Sequence, residues 1–298
     1  MSFPDSIQDV LDRLEICFKN SGFSESTKTN YRRYIQRFLD ETGTDDPSSL
    51  TLYDAQDYLA SLDEAVSPAV STYNVYVCAL RYLYDAVLLT PVTSAQLPKR
   101  RQKREAKPIF TLDQVYLLLD SCEDLRLKAA ISLGAACGLR TCEIARLRFQ
   151  DFNKSERIIC IWNSKWNRSR FVSFPESCSQ LLRSYCKDKG ILHPDPSGFV
   201  FPSIKNPQTQ IKSSSLSQGF LDYVRGFDFY LPGLSFHTLR HVYATYLAQA
   251  GVPLPRIQEQ MGHSSAATTA LYIHLPDDDQ SPIPDLLADR EKKKGEDE

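Results

Sequence analysis

The run Phe236-His237-Thr238-Leu239-Arg240-His241 is followed by Met261-Gly262-His263 and then by Tyr272. Imidazole groups, a guanidinium and a phenol therefore crowd one short stretch of chain. An imidazole moves protons near neutral pH. A guanidinium fork fits two phosphate oxygens, and a phenol can act as a nucleophile once a base or a strong positive potential activates it. Such a set can hold a phosphodiester, move its protons and attack its phosphorus.

Each residue has a plainer reading when taken alone. His237 and Arg240 stand three apart on a helical pattern, which projects both from one face, but surface His–Arg pairs at that spacing are common. Arg140 follows Gly138 at a helix start, where the helix terminus already favours anions; it could equally pair with Glu143 at i+3. Lys165 sits at the tip of an expected hairpin, ordinarily a solvated place. Its ammonium, of ordinary pKa about 10.4, would also suit an acid serving an alkoxide leaving group. Tyr272 lies in Tyr272-Ile273-His274-Leu275, which reads as core at helical spacing. A phenol of pKa about 10 is roughly one part in a thousand ionised at pH 7, a deficit on the order of 4 kcal/mol. His237 or His263 could remove its proton, and the two arginines could supply the potential.

The elements that must position these groups follow from pattern. Ser24 caps a helix with Tyr31, Tyr34, Ile35, Phe38 and Leu39 on one side. Lys28, Arg32, Arg33 and Arg37 fall mostly off that stripe, a cationic edge that is a solvated face unless the rest of the chain demands DNA. Ser67-Pro68 predicts a second helix start, with Tyr73, Val77, Leu80, Tyr84 and Val87 behind it. Residues 1–95 thus read as a small all-α domain of four or five helices. Between Pro98 and Pro108 lie Lys99, Arg100, Arg101, Lys103, Arg104 and Lys107 with a single glutamate, Glu105. This run, within 96–108, reads as an inter-domain linker, either a solvated connector or a strap over phosphates.

Beyond the linker, Thr111-Leu112-Asp113-Gln114 is a capping box. Two helices are expected over 111–137, a break at Gly138-Leu139-Arg140, and a short helix capped by Thr141. Ile158, Ile159, Ile161, Phe171 and Val172 predict a β-hairpin around Asn163–Asn167. Helix is expected again near Pro175 and from Ser235 to Ala250, with Gly251 as its stop.

Bulk composition fits a globular protein: of 298 residues, 42% are hydrophobic and 24% charged. No apolar run reaches the ~20 residues of a membrane span, and Met1–Asp5 resembles no signal peptide, so a cytoplasmic protein is expected. The eight cysteines form no CxxC pair, which predicts buried free thiols rather than a zinc site. The net charge of −2 does not exclude a nucleic-acid partner, because acids crowd the C-terminal segment and cations the 99–107 run.

Taken in order, the motifs resemble those of the tyrosine recombinase (phage integrase) family. The first arginine motif is Cys137-Gly138-Leu139-Arg140-Thr141-Cys142-Glu143-Ile144. The hairpin lysine motif runs from Ser164-Lys165-Trp166 to Arg170-Phe171-Val172, and the second box is His237-Thr238-Leu239-Arg240-His241. The third runs from Met261-Gly262-His263 to Tyr272, with nine positions between His263 and Tyr272 as in the family. Met261 stands where leucine is usual, and Trp166 where glycine is common.

The resemblance implies a mainly α fold with a small β-hairpin or sheet, built as a two-domain C-shaped DNA clamp. A SAM-like core-binding domain (1–95) is joined by the linker to a mixed α/β catalytic domain (109–284). A tail (285–298) would dock as a helix on a neighbouring protomer. It implies site-specific recombination through a covalent 3′-phosphotyrosyl intermediate: Tyr272 attacks, Arg140 and Arg240 hold the phosphate oxygens, His237 takes the phenolic proton, Lys165 protonates the leaving 5′ oxygen and His263 bonds the phosphate. Glu143 and His241 support the site. No metal, ATP or other cofactor is called for. Lys28, Arg32, Arg33, Lys99, Arg100, Arg101, Lys103 and Arg104 would meet the DNA backbone. The partners implied are double-stranded DNA with inverted-repeat core sites and further copies of the chain, two per site and four in synapsis, with room for an accessory DNA-bending or directionality protein. About twenty residues precede Ser24, fewer than a separate arm-site domain takes, so action at core sites alone is expected. Type IB topoisomerase-like nicking-closing, or a non-catalytic DNA-binding regulator on the same fold, are the alternatives. Motif order leaves open whether the outcome is integration, excision, resolution, inversion or transposition.

Overall fold

The computed structural model describes residues 3–101, 108–162, 169–262 and 283–288. The chain divides into two compact units, Met1–Glu105 and Ala106–Glu298.

The first unit is helical. It contains α1 (Ile7–Asn20), α2 (Glu25–Thr42), α3 (Leu52–Val66) and α4 (Val70–Tyr82), the last running into a π-helical turn over Leu83–Val87. Side-chain oxygens start three of these helices: Ser6 accepts from the Asp9 amide, Ser24 from Thr27, and Thr51 forms a reciprocal box with Asp54. The core joins Val10, Leu14 and Phe18 of α1 to Ile35 and Phe38 of α2 and to Val77, Leu80 and Tyr84 of the last helix. Ser67 does not start α4. It ends α3 in the left-handed region (φ 43°), its amide bonded to the Asp63 carbonyl, and α4 begins after Ala69 without a side-chain cap. The residue before a proline is disfavoured in the α region, so Ser67-Pro68 closes one helix instead of opening the next.

The second unit begins with α5 (Leu112–Ser121) and α6 (Leu125–Ala136). The short α7 (Thr141–Arg146) leads through a 3-10 turn into β1 (Phe152–Asn153), β2 (Ile158–Ile161) and β3 (Arg170–Ser173). Then come α8 (Glu176–Asp188), α9 (Ser213–Val224), α10 (Phe236–Gln249) and α11 (Leu254–Met261). The strands form one antiparallel sheet in the order β1-β2-β3, with Ile159 opposite Val172 and Ile161 opposite Arg170. α6 is buried from Ala129 to Ala136. Its small residues let α8 and α10 pack closely on it, so it forms the axis of the unit's core.

Three sequence expectations need correction. Arg140, not Thr141, is the N-cap of α7: its amide donates to the Glu143 carboxylate at 2.8 Å. All eight cysteines are free, but only Cys122, Cys137 and Cys178 are buried, and Cys142 is exposed on α7. The segment from Asp285 does not leave its own unit at once. Leu286 and Leu287 are buried in its core, the Tyr116 hydroxyl donates to the Leu286 carbonyl, and Ser177 donates to the Asp285 carboxylate. Among the described residues no helix is long and apolar enough to cross a membrane, and no three His, Cys, Asp or Glu side chains group as metal ligands.

Candidate active site

The C-terminal end of α11 is where the candidate residues meet. A helix leaves its last carbonyls without intrahelical partners and carries a partial negative charge there. Three guanidinium groups take the carbonyls at this end. Arg170 Nε donates to Gln260 O at 3.1 Å, Arg240 Nη2 donates to Met261 O, and Arg140 Nη2 lies 3.5 Å from Gly262 O. These arginines come from β3, α10 and the N-cap of α7, so one eight-residue helix ties together three distant parts of the sequence.

Arg240 is the largest fully buried side chain in the described structure, 1% exposed. Its second anchor is the Gly138 carbonyl, which accepts from Nη1. Gly138 turns the chain between α6 and Arg140 with φ +62°, and a β-carbon there would lie 2.4 Å from the Tyr243 ring. Glycine meets both demands. His237 does not share the environment of Arg240: it is exposed on the first turn of α10, its ring 4.9 Å from that of His241 in a T-shaped contact. Three residues further along the helix, Arg240 turns inward beneath it.

Glu143 is the carboxylate of the cluster. Arg170 binds it with two parallel bonds of 2.8 Å, and Arg140 Nη1 adds a third at 3.0 Å. Such fork-to-fork bonds are stronger than neutral ones and fix both planes. Burial alone would push the Glu143 carboxyl up, but Arg170, and after it Arg140, outweigh that and bring it down to about 2. Because the folded value lies below the ordinary 4.5, the stabilisation is complete above pH 4.5 and is lost as pH falls toward 2. At 14% side-chain exposure screening is slight, and the pair of values corresponds to about 3 kcal/mol. Urea unfolding of the full chain at pH 6, 4 and 3 should show this loss, and Glu143→Gln should flatten it. An equally steep acid loss in that variant would place the acid-sensitive group elsewhere.

Of the catalytic candidates, Arg140 and Arg240 are thus brought to one helix end, with Glu143 beside them. Lys165, His263 and Tyr272 lie outside the described residues; His263 directly follows Gly262, the C-cap of α11 (φ 57°). Of the DNA-backbone candidates, Lys28 pairs with Glu25 at 2.9 Å, Arg32 holds both oxygens of Glu15, and Arg33 bonds the Tyr34 hydroxyl. Arg100 is the firmest of them: it pairs with Asp63 at 2.5 Å, stacks 3.6 Å from the Tyr73 ring centre and exchanges main-chain bonds with Asn74. This part of the basic run is fastened to the first unit. Lys99 and Arg101 are exposed, whereas Lys103 and Arg104 lie outside the described residues.

Residues 108–278 match the Phage integrase family, and residues 9–94 match its N-terminal SAM-like domain. The chain belongs to the phage integrase family. Among its relatives, a tyrosine recombinase of Thermosipho africanus is 26% identical over 268 residues, covering 86% of this chain and 91% of the relative. Tyrosine recombinase XerD of Haemophilus influenzae is 28% identical over 271 residues, covering 85% and 89%. The fold matches a lambda integrase dimer bound to a COC′ core site with a TM-score of 0.67 at 18% identity, covering 94% of this chain and 99% of that one. The mostly helical integrase architecture with its small antiparallel sheet is therefore that of this chain.

Arg170 is the site residue that sequence reasoning missed. The signal lay in strand parity: Arg170 shares the inward side of β3 with buried Val172, opposite buried Ile161. Phe171 concealed it, an apolar residue that is 56% exposed on the outward side.

Proposed function

We propose that this member of the phage integrase family is a tyrosine-type site-specific DNA recombinase that cuts and rejoins strands through a 3′-phosphotyrosyl intermediate. The observation that carries the reading is the convergence of Arg140 and Arg240, which are far apart in sequence, on the end of α11 immediately before His263. Fixed guanidinium groups at one place stabilise charge that develops on a pentavalent phosphorus without reorganising during the reaction.

In the proposed step, Tyr272 Oη attacks the scissile phosphorus and the bond to the 5′ oxygen breaks. His237 accepts the phenolic proton, and its exposure suits a group that must meet a substrate. Lys165 gives a proton to the departing 5′ oxygen, and His263 bonds a non-bridging oxygen. The phosphotyrosyl ester keeps the bond energy, so a 5′-hydroxyl from a second duplex reverses the step and no nucleotide is consumed. Strand exchange then needs double-stranded DNA at two inverted-repeat sites and four copies of the chain. The recombinase relatives favour this over nicking-closing on a single duplex.

The test is capture of the intermediate. Incubated with duplexes nicked next to the cleavage position, the protein should form an SDS-resistant adduct, and tryptic mapping should place the nucleotide on the peptide holding Tyr272. An adduct on any other residue, or none on DNA that the protein binds, would overturn the assignment.

A further inference from the structure

Arg170 takes no part in the steps above, yet each of its three guanidinium nitrogens is engaged. Nη1 and Nη2 each meet one Glu143 oxygen at 2.8 Å, and Nε meets Gln260 O at 3.1 Å. The side chain is 12% exposed. Its hydrocarbon stem occupies the space left by Gly262, where a β-carbon would come within 2.8 Å of Arg170 Cδ. Three residues along β3, the Ser173 amide donates to the Gln260 side chain at 3.0 Å. Strand and helix are thus joined at two points, one through the main chain of Gln260 and one through its side chain.

The connection continues beyond Glu143. The same carboxylate that receives Arg170 also receives the amide and Nη1 of Arg140. A single relay therefore runs from the end of α11 through Arg170 and Glu143 to Arg140. Lysine could not replace arginine in it, since one ammonium cannot supply two parallel bonds to a carboxylate and a third from a separate nitrogen. Holding a helix to a strand would not by itself require charge, because apolar side chains of similar volume pack as stably as buried ion pairs.

We propose that Arg170 is a positioning residue for the phosphoryl-transfer step: it orients Arg140 through Glu143 while fixing the end of α11 from which His263 follows. This rests on the recombinase reading above. A misplacement of about 1 Å in a group that holds a reacting phosphate can cost about 10²-fold in rate.

The experiment measures single-turnover cleavage of a nicked duplex at saturating full-length protein, together with DNA affinity and melting temperature, for wild type, R170Q, R170K, E143Q and the double variant E143Q/R170Q. R170Q should cleave about 10²-fold more slowly while binding the same duplex within about threefold of wild type. The double variant should be no more than about threefold worse than the poorer single one, since both residues act through one relay. The charged groups facing Glu143 are Arg140 from its own helix and Arg170 from β3. Loss of Arg170 should therefore raise the Glu143 carboxyl and move the acid limb of the cleavage profile to higher pH in R170Q, and less in R170K. Cleavage by folded R170Q within threefold of wild type, or single losses that multiply in the double variant, would overturn the proposal. If R170Q does not fold, R170K carries the test: an unchanged rate and pH profile there sinks the idea. Absence of any adduct with wild-type protein would instead count against the recombinase reading.

Discussion

Replacing Arg240 with alanine is expected to destabilise the protein by about 4 kcal/mol and to slow DNA cleavage by about 10³-fold. The side chain is 1% exposed and donates to the carbonyls of Gly138 and Met261. Alanine would strand both acceptors in a dry interior and leave a cavity the size of a guanidinium and its stem, penalties of about 1–3 kcal/mol for each unsatisfied group. A unit of this size melts roughly 2–4 °C lower per kcal/mol, so a fall of about 10 °C is expected by calorimetry. Arg240→Lys separates the two roles. It keeps the charge and much of the volume, so stability should recover in part, but one ammonium cannot span both carbonyls and also present a fork to a phosphate. Cleavage by the lysine variant should stay at least about 10²-fold down. A lysine variant with wild-type cleavage would show that Arg240 is a structural anchor with no part in phosphate binding.

Gly138→Ala should cost about 3 kcal/mol without touching any charged group. Two penalties combine at this position. The backbone stands at φ +62°, where an alanine pays about 1 kcal/mol, and the new methyl group would sit 2.4 Å from the Tyr243 ring. That ring is buried between α10 and the Gly138 turn, so it cannot swing into solvent. The ring and turn must separate, which draws the Gly138 carbonyl away from Arg240 and tilts Arg140. Cleavage should therefore fall more than stability alone explains, measurable as a slow rate in fully folded protein at 15 °C. Wild-type cleavage at that temperature would mean the turn relaxes without moving either arginine.

The sequence was most legible where one side chain performs one local task. Ser24 and Thr111 cap helices where their spacing to the next apolar positions predicts, and the strand formers of Ile158–Ile161 mark a strand that pairs with residues 170–173. Legibility failed where local signals were absent or served another element. β1 has two residues, too few for a period to show. α9 starts after Lys212 with no side-chain cap, and α11 starts at Pro253-Leu254-Pro255, which reads as a break although proline fits a first helical turn. Arg140 and Arg240 were nominated by residue chemistry and helix position and then by motif order. That α11 would be the element on which they converge was not legible, because carbonyl acceptors leave no trace in residue type. Arg170 escaped because its strand parity was masked by exposed Phe171 and its partners are distant in sequence: Glu143 across 27 residues and Gln260 across 90.

The bonds that end α11 also bear on when a newly made chain becomes a complete enzyme. Arg140 meets a carbonyl 122 positions later, and Arg240 joins points 102 positions before it and 21 after it. Such distant contacts form only after long loops have closed, and they slow folding relative to local ones. A chain still attached to the ribosome and lacking α11 has no helix end on which to gather its arginines. Assembly of the cluster thus waits until α11 has been made, and a truncated product that stops short of it would keep the first unit without an organised cleavage centre.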